Sequence, residues 1–194
     1  IASAIIPVFA QDGTENTEEQ EQYLPTYGLG DQMFLLNAGL MIPLFFYYPI
    51  SGTVNDTNLS LGGIGSLEWG AYLGSNLTLG VNLAGMFSVS PLGRVIGMVP
   101  VTAKLSYFFH SYPFEFPLFI GVGVNFITFD EYVYIGPILK PGAGFYWDFH
   151  SEWALGIEAS YWWVPEIYTG ADASNTRFGN FLEISISGLY HFSQ

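Results

Sequence analysis

The sequence predicts an all-β fold, an eight-stranded antiparallel up-and-down transmembrane β-barrel. Three observations carry that expectation. First, eight stretches alternate apolar with small or polar residues, and the rare mid-strand charges Glu68, Lys104, Lys140, Glu158 and Glu183 all fall on the polar parity. A soluble sandwich turns its apolar face inward and keeps charge in water; a closed barrel in lipid does the reverse. Second, charged residues make up 11% of the 194, against about 25% in average soluble domains, while aromatics reach 18% and glycines number 23. After the N-terminal segment no apolar run is long enough for a membrane-crossing helix. Third, the outward aromatics gather at the strand ends, with aliphatic residues between them.

The N-terminus is read as export and tail. Residues 1–10, IASAIIPVFA, form an apolar segment with small residues at the −3 and −1 positions before Gln11, which fits the end of a secretory signal peptide. A basic leading region is missing, as in a sequence that begins inside the signal. Residues 11–30 follow as an acidic tail, with Asp12, Glu15, Glu18, Glu19 and Glu21 and no basic residue. The barrel domain is assigned to 31–194. Absence of cysteine fits an exported protein without disulfides and leaves no lipidation site.

The strands follow in order. The first, about 32–48, carries Phe34, Leu36, Ala38, Leu40, Ile42, Leu44 and Phe46 on one face and Asn37, Gly39 and Pro43 on the other. The second, about 57–73, sets Leu59, Leu61, Leu67 and Trp69 against Ser60, Gly62, Ser66, Glu68 and Gly70. The third, 77–90, sets Leu79, Val81, Leu83 and Phe87 against Thr78, Asn82 and Ser88. The fourth, about 95–110, turns Val99, Val101, Leu105, Tyr107 and Phe109 out and Thr102, Lys104 and Ser106 in. The fifth, about 116–129, has Leu118, Ile120, Val122, Val124 and Phe126 opposite Gly121, Gly123 and Asn125. The sixth, about 133–149, has Leu139, Phe145 and Trp147 opposite Lys140, Gly142, Tyr146 and Asp148. The seventh, about 152–164, sets Trp153, Leu155, Ile157, Tyr161 and Trp163 against Gly156, Glu158 and Ser160. The eighth, about 177–192, sets Leu182, Ile184, Ile186, Tyr190 and Phe192 against Glu183, Ser185, Ser187 and His191. The period is two throughout, and inward glycines suit a narrow lumen.

Connections after strands two, four and six are short; those after the odd-numbered strands include the longest, 165–176. Short periplasmic turns and longer external loops are the rule in bacterial outer-membrane barrels. Both termini are therefore expected in the periplasm. Outward Trp69, Tyr107, Phe109, Trp147, Phe149, Trp153, Tyr190 and Phe192 mark the periplasmic girdle, and Phe46, Phe87, Phe126 and Trp163 the external one.

On these features the chain resembles the small eight-stranded outer-membrane β-barrel group that contains OmpA, OmpX and OmpW, over about residues 31–194. Its last strand, ISISGLYHF, resembles the assembly signal of such barrels, although two residues follow Phe192. The resemblance implies a bacterial outer-membrane location, membrane lipid around the barrel, and the outer-membrane assembly machinery as a transient partner. The scarcity of Lys and Arg points to a more distant diderm lineage than the enterobacterial members.

The inward residues divide by height. Near the external end lie Met41, Pro43, Phe45, Met86, Ile96, Met98, Pro100, Trp162 and Phe181, an apolar region in which a small hydrophobic ligand is expected. Below lie Glu68, Lys104, Lys140, Glu158 and Glu183, expected to form a charge network that seals the lumen, with Lys104 pairing across it. Acids outnumber bases there, so one carboxylate is expected to hold a proton or meet water. Resemblance to the OmpW-like branch implies transport of small hydrophobic molecules sideways into the membrane, and the strand prolines Pro43 and Pro100 each remove a ladder donor where a lateral opening would form. The alternative is a structural or host-interacting OmpA/OmpX-like barrel with a packed, non-conducting lumen.

Other classes fit less well. No enzyme is expected: His150-Ser151-Glu152 and His110-Ser111 fall on periplasmic turns, away from the outer-leaflet substrates of lipid A-modifying barrels, and His191 faces inward. Neither a cofactor nor a metal set is apparent, and no nucleic-acid partner is expected. Short external loops weigh against adhesion, and the apolar outside weighs against a lipocalin-like soluble carrier.

Overall fold

The computed structural model describes residues 27–129 and 132–192. The expected signal segment, residues 11–26 of the tail, and the connection at Asp130 and Glu131 lie outside the described residues. Among the described residues nine strands appear in order: β1 (Gln32–Tyr48), β2 (Thr53–Asp56), β3 (Gly62–Tyr72), β4 (Leu77–Val89), β5 (Val95–Ser111), β6 (Phe114–Phe129), β7 (Tyr132–Asp148), β8 (Trp153–Glu166) and β9 (Arg177–Phe192), with a 3₁₀ turn at Gly170–Asn175. Eight of them pair antiparallel with their neighbours, and β9 returns to β1 from Gln32↔Phe192 to Tyr47↔Phe178, closing an eight-strand barrel. We term the end where β1 starts and β9 finishes the near end, and the opposite end the far end.

Closure leaves no sheet edge around the barrel wall, so every stave finds ladder partners on both sides. The period-two pattern then has one reading: one parity faces the lumen, the other the surroundings. The outside is apolar, with Leu36 54%, Leu67 45% and Ile186 71% exposed, while the inward charges Glu68 and Glu158 are buried. Outward aromatics Trp69, Trp147, Phe149 and Trp153 ring the near end, and Phe87 and Phe126 stand toward the far end.

Three departures from the sequence reading matter for the site. The expected second strand at 57–73 begins only at Gly62, and Thr53–Asp56 instead folds back on β1 as a far-end hairpin, Phe45↔Asp56 to Tyr48↔Thr53. Gly52 takes the left-handed region at φ +67 and its N–H bonds to Tyr48 O at 2.8 Å, which turns the chain; Asn58 at φ +53 turns it again. Turn-forming Ser51-Gly52 and Asn55-Asp56 carry this signal, and the alternation on either side obscures it.

The second departure is a bulge in β1. The register against β9 passes from Pro43↔Phe181 to Phe45↔Asn180, leaving Leu44 without a partner. One extra residue inverts the parity beyond it. Phe46, expected outward, packs against the inward apolar cluster and meets Phe181 edge-on at 6.3 Å. Phe45, expected in the ligand region, is half-buried and shares the face of Asn180, so it leaves that region. Pro43, with no N–H to give the ladder, sits at the break.

Third, the ladders skip beside prolines. Between β4 and β5 pairing jumps from Leu83↔Val101 to Met86↔Met98, opposite Pro100, although Pro100 keeps its partner Asn125 on β6. Between β7 and β8 pairing jumps around Pro141 and ends at Leu139↔Trp163. Beyond it, side chains tie the seam: Ile167 N–H donates to Tyr134 Oη at 2.7 Å, and the Tyr132 and Tyr168 hydroxyls bond to each other.

Candidate functional site

The core of the molecule is its lumen, filled in layers. The farthest layer is a cavity of about 420 Å³ at the far mouth. Its wall combines Phe46 of β1, Thr57, Asn58 and Leu59 of the β2–β3 link, Ser90 to Leu92 and Arg94 of the β4–β5 turn, Ile96, Ile127 and Phe129, with Tyr132 and Arg177. That volume lies within the range of small-molecule sites, and apolar walls with a few polar groups are the usual lining of such sites.

Below the cavity lies an apolar plug. Met41, Ile64, Ala84, Met86, Ile96, Met98, Ile127, Ile138, Trp162, Val164 and Phe181 form one buried cluster. Of the residues expected to line a ligand site, Met41, Met86, Met98, Trp162 and Phe181 are packed in this plug, and only Ile96 also reaches the cavity. Pro100 is buried and Pro43 half-buried, and neither borders the cavity. The expected apolar upper lumen exists, but as a floor beneath the open space. Its long, flexible methionines fill irregular gaps between the staves, which removes the void that a period-two pattern alone suggests.

The third layer is polar and brings Glu68, Lys104, Lys140, Glu158 and Glu183 together. Lys104 Nζ donates to Glu68 Oε2 at 2.8 Å and to Glu158 Oε1 at 3.0 Å. Lys140 Nζ lies 3.5 Å from Glu183 Oε2 and donates to Asn82 Oδ1 at 3.4 Å. Glu183 also accepts from Ser160 Oγ at 2.7 Å and Trp162 Nε1 at 2.8 Å, and Glu158 accepts from Asn37 Nδ2 at 3.1 Å. Each lysine stands over a ring, Lys104 3.8 Å from the Phe119 centroid and Lys140 4.2 Å from that of Trp162. The space left among these groups is about 10 Å³, room for no more than one water. Three carboxylates meet two ammonium groups, and Glu68 Oε1 has no hydrogen-bond partner among the described residues.

The near end closes with a layer that sequence reasoning missed. Glu115, wholly buried, faces His110 Nε2 at 3.3 Å through Oε1 and His191 Nε2 at 3.6 Å through Oε2. Tyr72 Oη and His191 Nδ1 are hydrogen-bonded at 3.2 Å. Tyr27, from the segment read as tail, stacks on Tyr72 at 4.6 Å and on His191 at 4.3 Å and is buried. Burial, with Glu115, Asp148 and Asp31 adding charge repulsion, holds the Tyr27 hydroxyl well above its ordinary range. The signal available in the sequence was parity: Glu115 and His110 share the inward face of adjacent strands, and His191 that of the closing strand. The tempting His150-Ser151 pair is exposed on the β7–β8 turn, its hydroxyl 3.4 Å from Nδ1.

Glycines make these layers possible. A Cβ on Gly156 would stand 2.6 Å from Tyr146 Cδ1, and one on Gly142 would run into the Phe119 ring. Only hydrogen at those inward positions leaves room for the two buried rings.

Known proteins share the fold or part of the sequence. The structure is similar to that of neisserial surface protein A, with a TM-score of 0.63 at 11% identity over 82% of this chain and 96% of that one. It is also similar to the outer-membrane protein OprG of Pseudomonas aeruginosa, with a TM-score of 0.51 at 14% identity over 88% and 100%. These likenesses place the fold among the small outer-membrane barrels. By sequence the chain is 26% identical to an uncharacterized protein of Borreliella burgdorferi over 78% of this chain and 80% of that one. It is 30% identical to an uncharacterized protein of Treponema pallidum over 48% of this chain and 34% of that protein. A protein-family model matches residues 13–190, nearly the whole barrel and part of the segment before it, and the chain belongs to that family.

Proposed function

We propose that this chain is an outer-membrane barrel that receives small hydrophobic molecules in its far mouth and passes them sideways into the membrane, in the manner of the OmpW-like branch. The far end faces outward and both termini lie in the periplasm. The observation that carries the reading is the apolar-walled cavity of about 420 Å³ standing on a closed lumen. A molecule entering there meets the buried methionine–tryptophan plug and then the ion-pair layer, so passage along the axis is blocked. A sideways route is supported by the hairpin: β2 pairs with β1 alone, and residues 57–61 lie outside the strands, with Thr57, Asn58 and Leu59 bordering the cavity. Ser60 holds this link to β4 through Val89 O, with its N–H at 2.9 Å and its hydroxyl at 2.6 Å.

The test is calorimetric titration of decanol into the barrel in lipid nanodiscs. Saturable binding to one site, weakened when Leu59→Arg fills the cavity wall with charge, is the expected result. Uptake equal to that of empty nanodiscs, and unaltered by Leu59→Arg, overturns the reading. A second reading, a structural or host-interacting barrel with a packed lumen, is favoured by the completeness of the plug, in which Met41 and Trp162 have no exposed surface. It requires that the mouth cavity stay empty of decanol.

A further inference from the structure

We infer that the link at residues 57–61 is the gate through which a molecule leaves the far-mouth cavity for the membrane, and that Ser60 is its latch. The inference rests on the transport reading and assigns the control of its exit. The ladder around the barrel thins on both sides of this link. On one side, β1 pairs with β3 up to Met41↔Gly62 and with β2 from Phe45↔Asp56, so Ile42, Pro43 and Leu44 lack a ladder partner on that side. On the other side, the β3–β4 ladder starts at Gly63↔Phe87, and β2 pairs with β1 alone. The link is the panel that fills the wall between these ends. Its two leucines face opposite ways: Leu59 borders the cavity and packs on the plug, whereas Leu61 is 57% exposed on the outer side. Apolar surface thus leads from the cavity to the lipid, with Ser60 between the two leucines.

Three hydrogen bonds meet at Ser60. Its N–H donates to Val89 O at 2.9 Å and its hydroxyl to the same oxygen at 2.6 Å, while Ser88 Oγ donates to Ser60 O at 2.5 Å. Ser88 is buried but Ser60 is exposed, so water competes for its bonds and the link can open locally while the ladders hold. The ends of the panel are built to turn. Asn58 stands in the left-handed region at φ +53. Gly62 lies so close to β4 that a Cβ there would stand 2.1 Å from Phe87 O, and the glycine that this approach requires also frees the backbone to pivot. Neither Ser60 nor Ser88 borders the cavity. The latch therefore sets how fast a molecule passes, whereas the cavity walls set how tightly it is held.

The experiment follows isotope-labelled decanol by NMR exchange spectroscopy as it passes between the cavity and the bilayer of phosphatidylcholine nanodiscs, with affinity read by calorimetry. Ser60→Ala/Ser88→Ala removes both hydroxyl bonds and leaves the backbone one. This variant is expected to speed the exchange about tenfold, the usual scale of one or two net hydrogen bonds, and to change affinity less than about twofold. Amide hydrogen exchange separates a gate from a weakened barrel: the Ser60 amide is expected to lose protection in the variant, and the amides of β3 from Ile64 onward to keep it. An unchanged decanol exchange rate, a rate that rises only as affinity falls, or protection lost throughout β3 and β4 overturns the inference; saturable decanol binding then leaves the transport reading standing. Failure of decanol to bind the unaltered barrel overturns both.

Discussion

The far and near halves of the lumen obey different physical rules. In the far half, shape fills space: methionine, isoleucine and tryptophan side chains pack without polar demands, and the remaining volume opens to the outside as a cavity. In the near half, polar satisfaction governs. Lys104 is shared between two carboxylates, Glu115 between two histidines, and the gap left in the charged layer holds one water at most. Packing by flexible side chains tolerates change and can yield to a ligand. A buried charge network does not, because each lost partner strands an ion in low dielectric. The contrast implies that the near half keeps the barrel closed and the far half is free to specialise.

The largest expected effect strikes the near half. Lys104→Ala leaves Glu68 and Glu158 buried without their cation, at a cost of about 3–5 kcal/mol, read as a lower unfolding temperature in detergent. An unchanged melting curve removes the network from the account. Next is Met98→Ala in the plug, expected to cost on the order of 3 kcal/mol through lost burial and a residual cavity. A much smaller loss in urea unfolding would mean that the plug collapses around the gap. Gly156→Ala puts a methyl group against the Tyr146 ring and the neighbouring strand, and overpacking of this kind costs about 1–3 kcal/mol. If the protein tolerates it, the near half is looser than its contacts imply. The smallest stability effect is expected at the mouth: Leu59→Ala changes the unfolding midpoint by about 0.5 kcal/mol or less, yet weakens decanol binding. Equal effects on stability and binding would erase the distinction between the halves.

Much of this was legible in the sequence, and the reasons for the rest are local. Strand parity placed Glu68, Lys104, Lys140, Glu158 and Glu183 inside because each sits in an uninterrupted period-two run, and the structure gathers them into one layer. Parity failed where the run is broken. The bulge at Leu44 exchanged the roles of Phe45 and Phe46, and no alternation pattern reports an unpaired residue. The β1–β2 hairpin was hidden because four extended residues are too few to show a period. Filling was also invisible: parity says which residues face the lumen, not whether Met41, Met98 and Trp162 leave space among themselves. The cavity is built instead from link residues such as Leu59 and from Arg94 and Arg177, which belong to turns and strand tips. The histidine–glutamate layer was within reach, since His110, Glu115 and His191 share the inward face, but Tyr27 arrives from a segment whose acidic composition reads as solvated.

The central claim is that the far mouth is a binding cavity above a closed lumen. A crystal structure of the barrel soaked with decanol tests it most directly. The alkyl chain is expected between Phe46 and Phe129, resting on Ile96 and Ile127, with the Lys104 layer unchanged beneath. A mouth without bound decanol at saturating concentration, or decanol found below the plug among the charged residues, would contradict it.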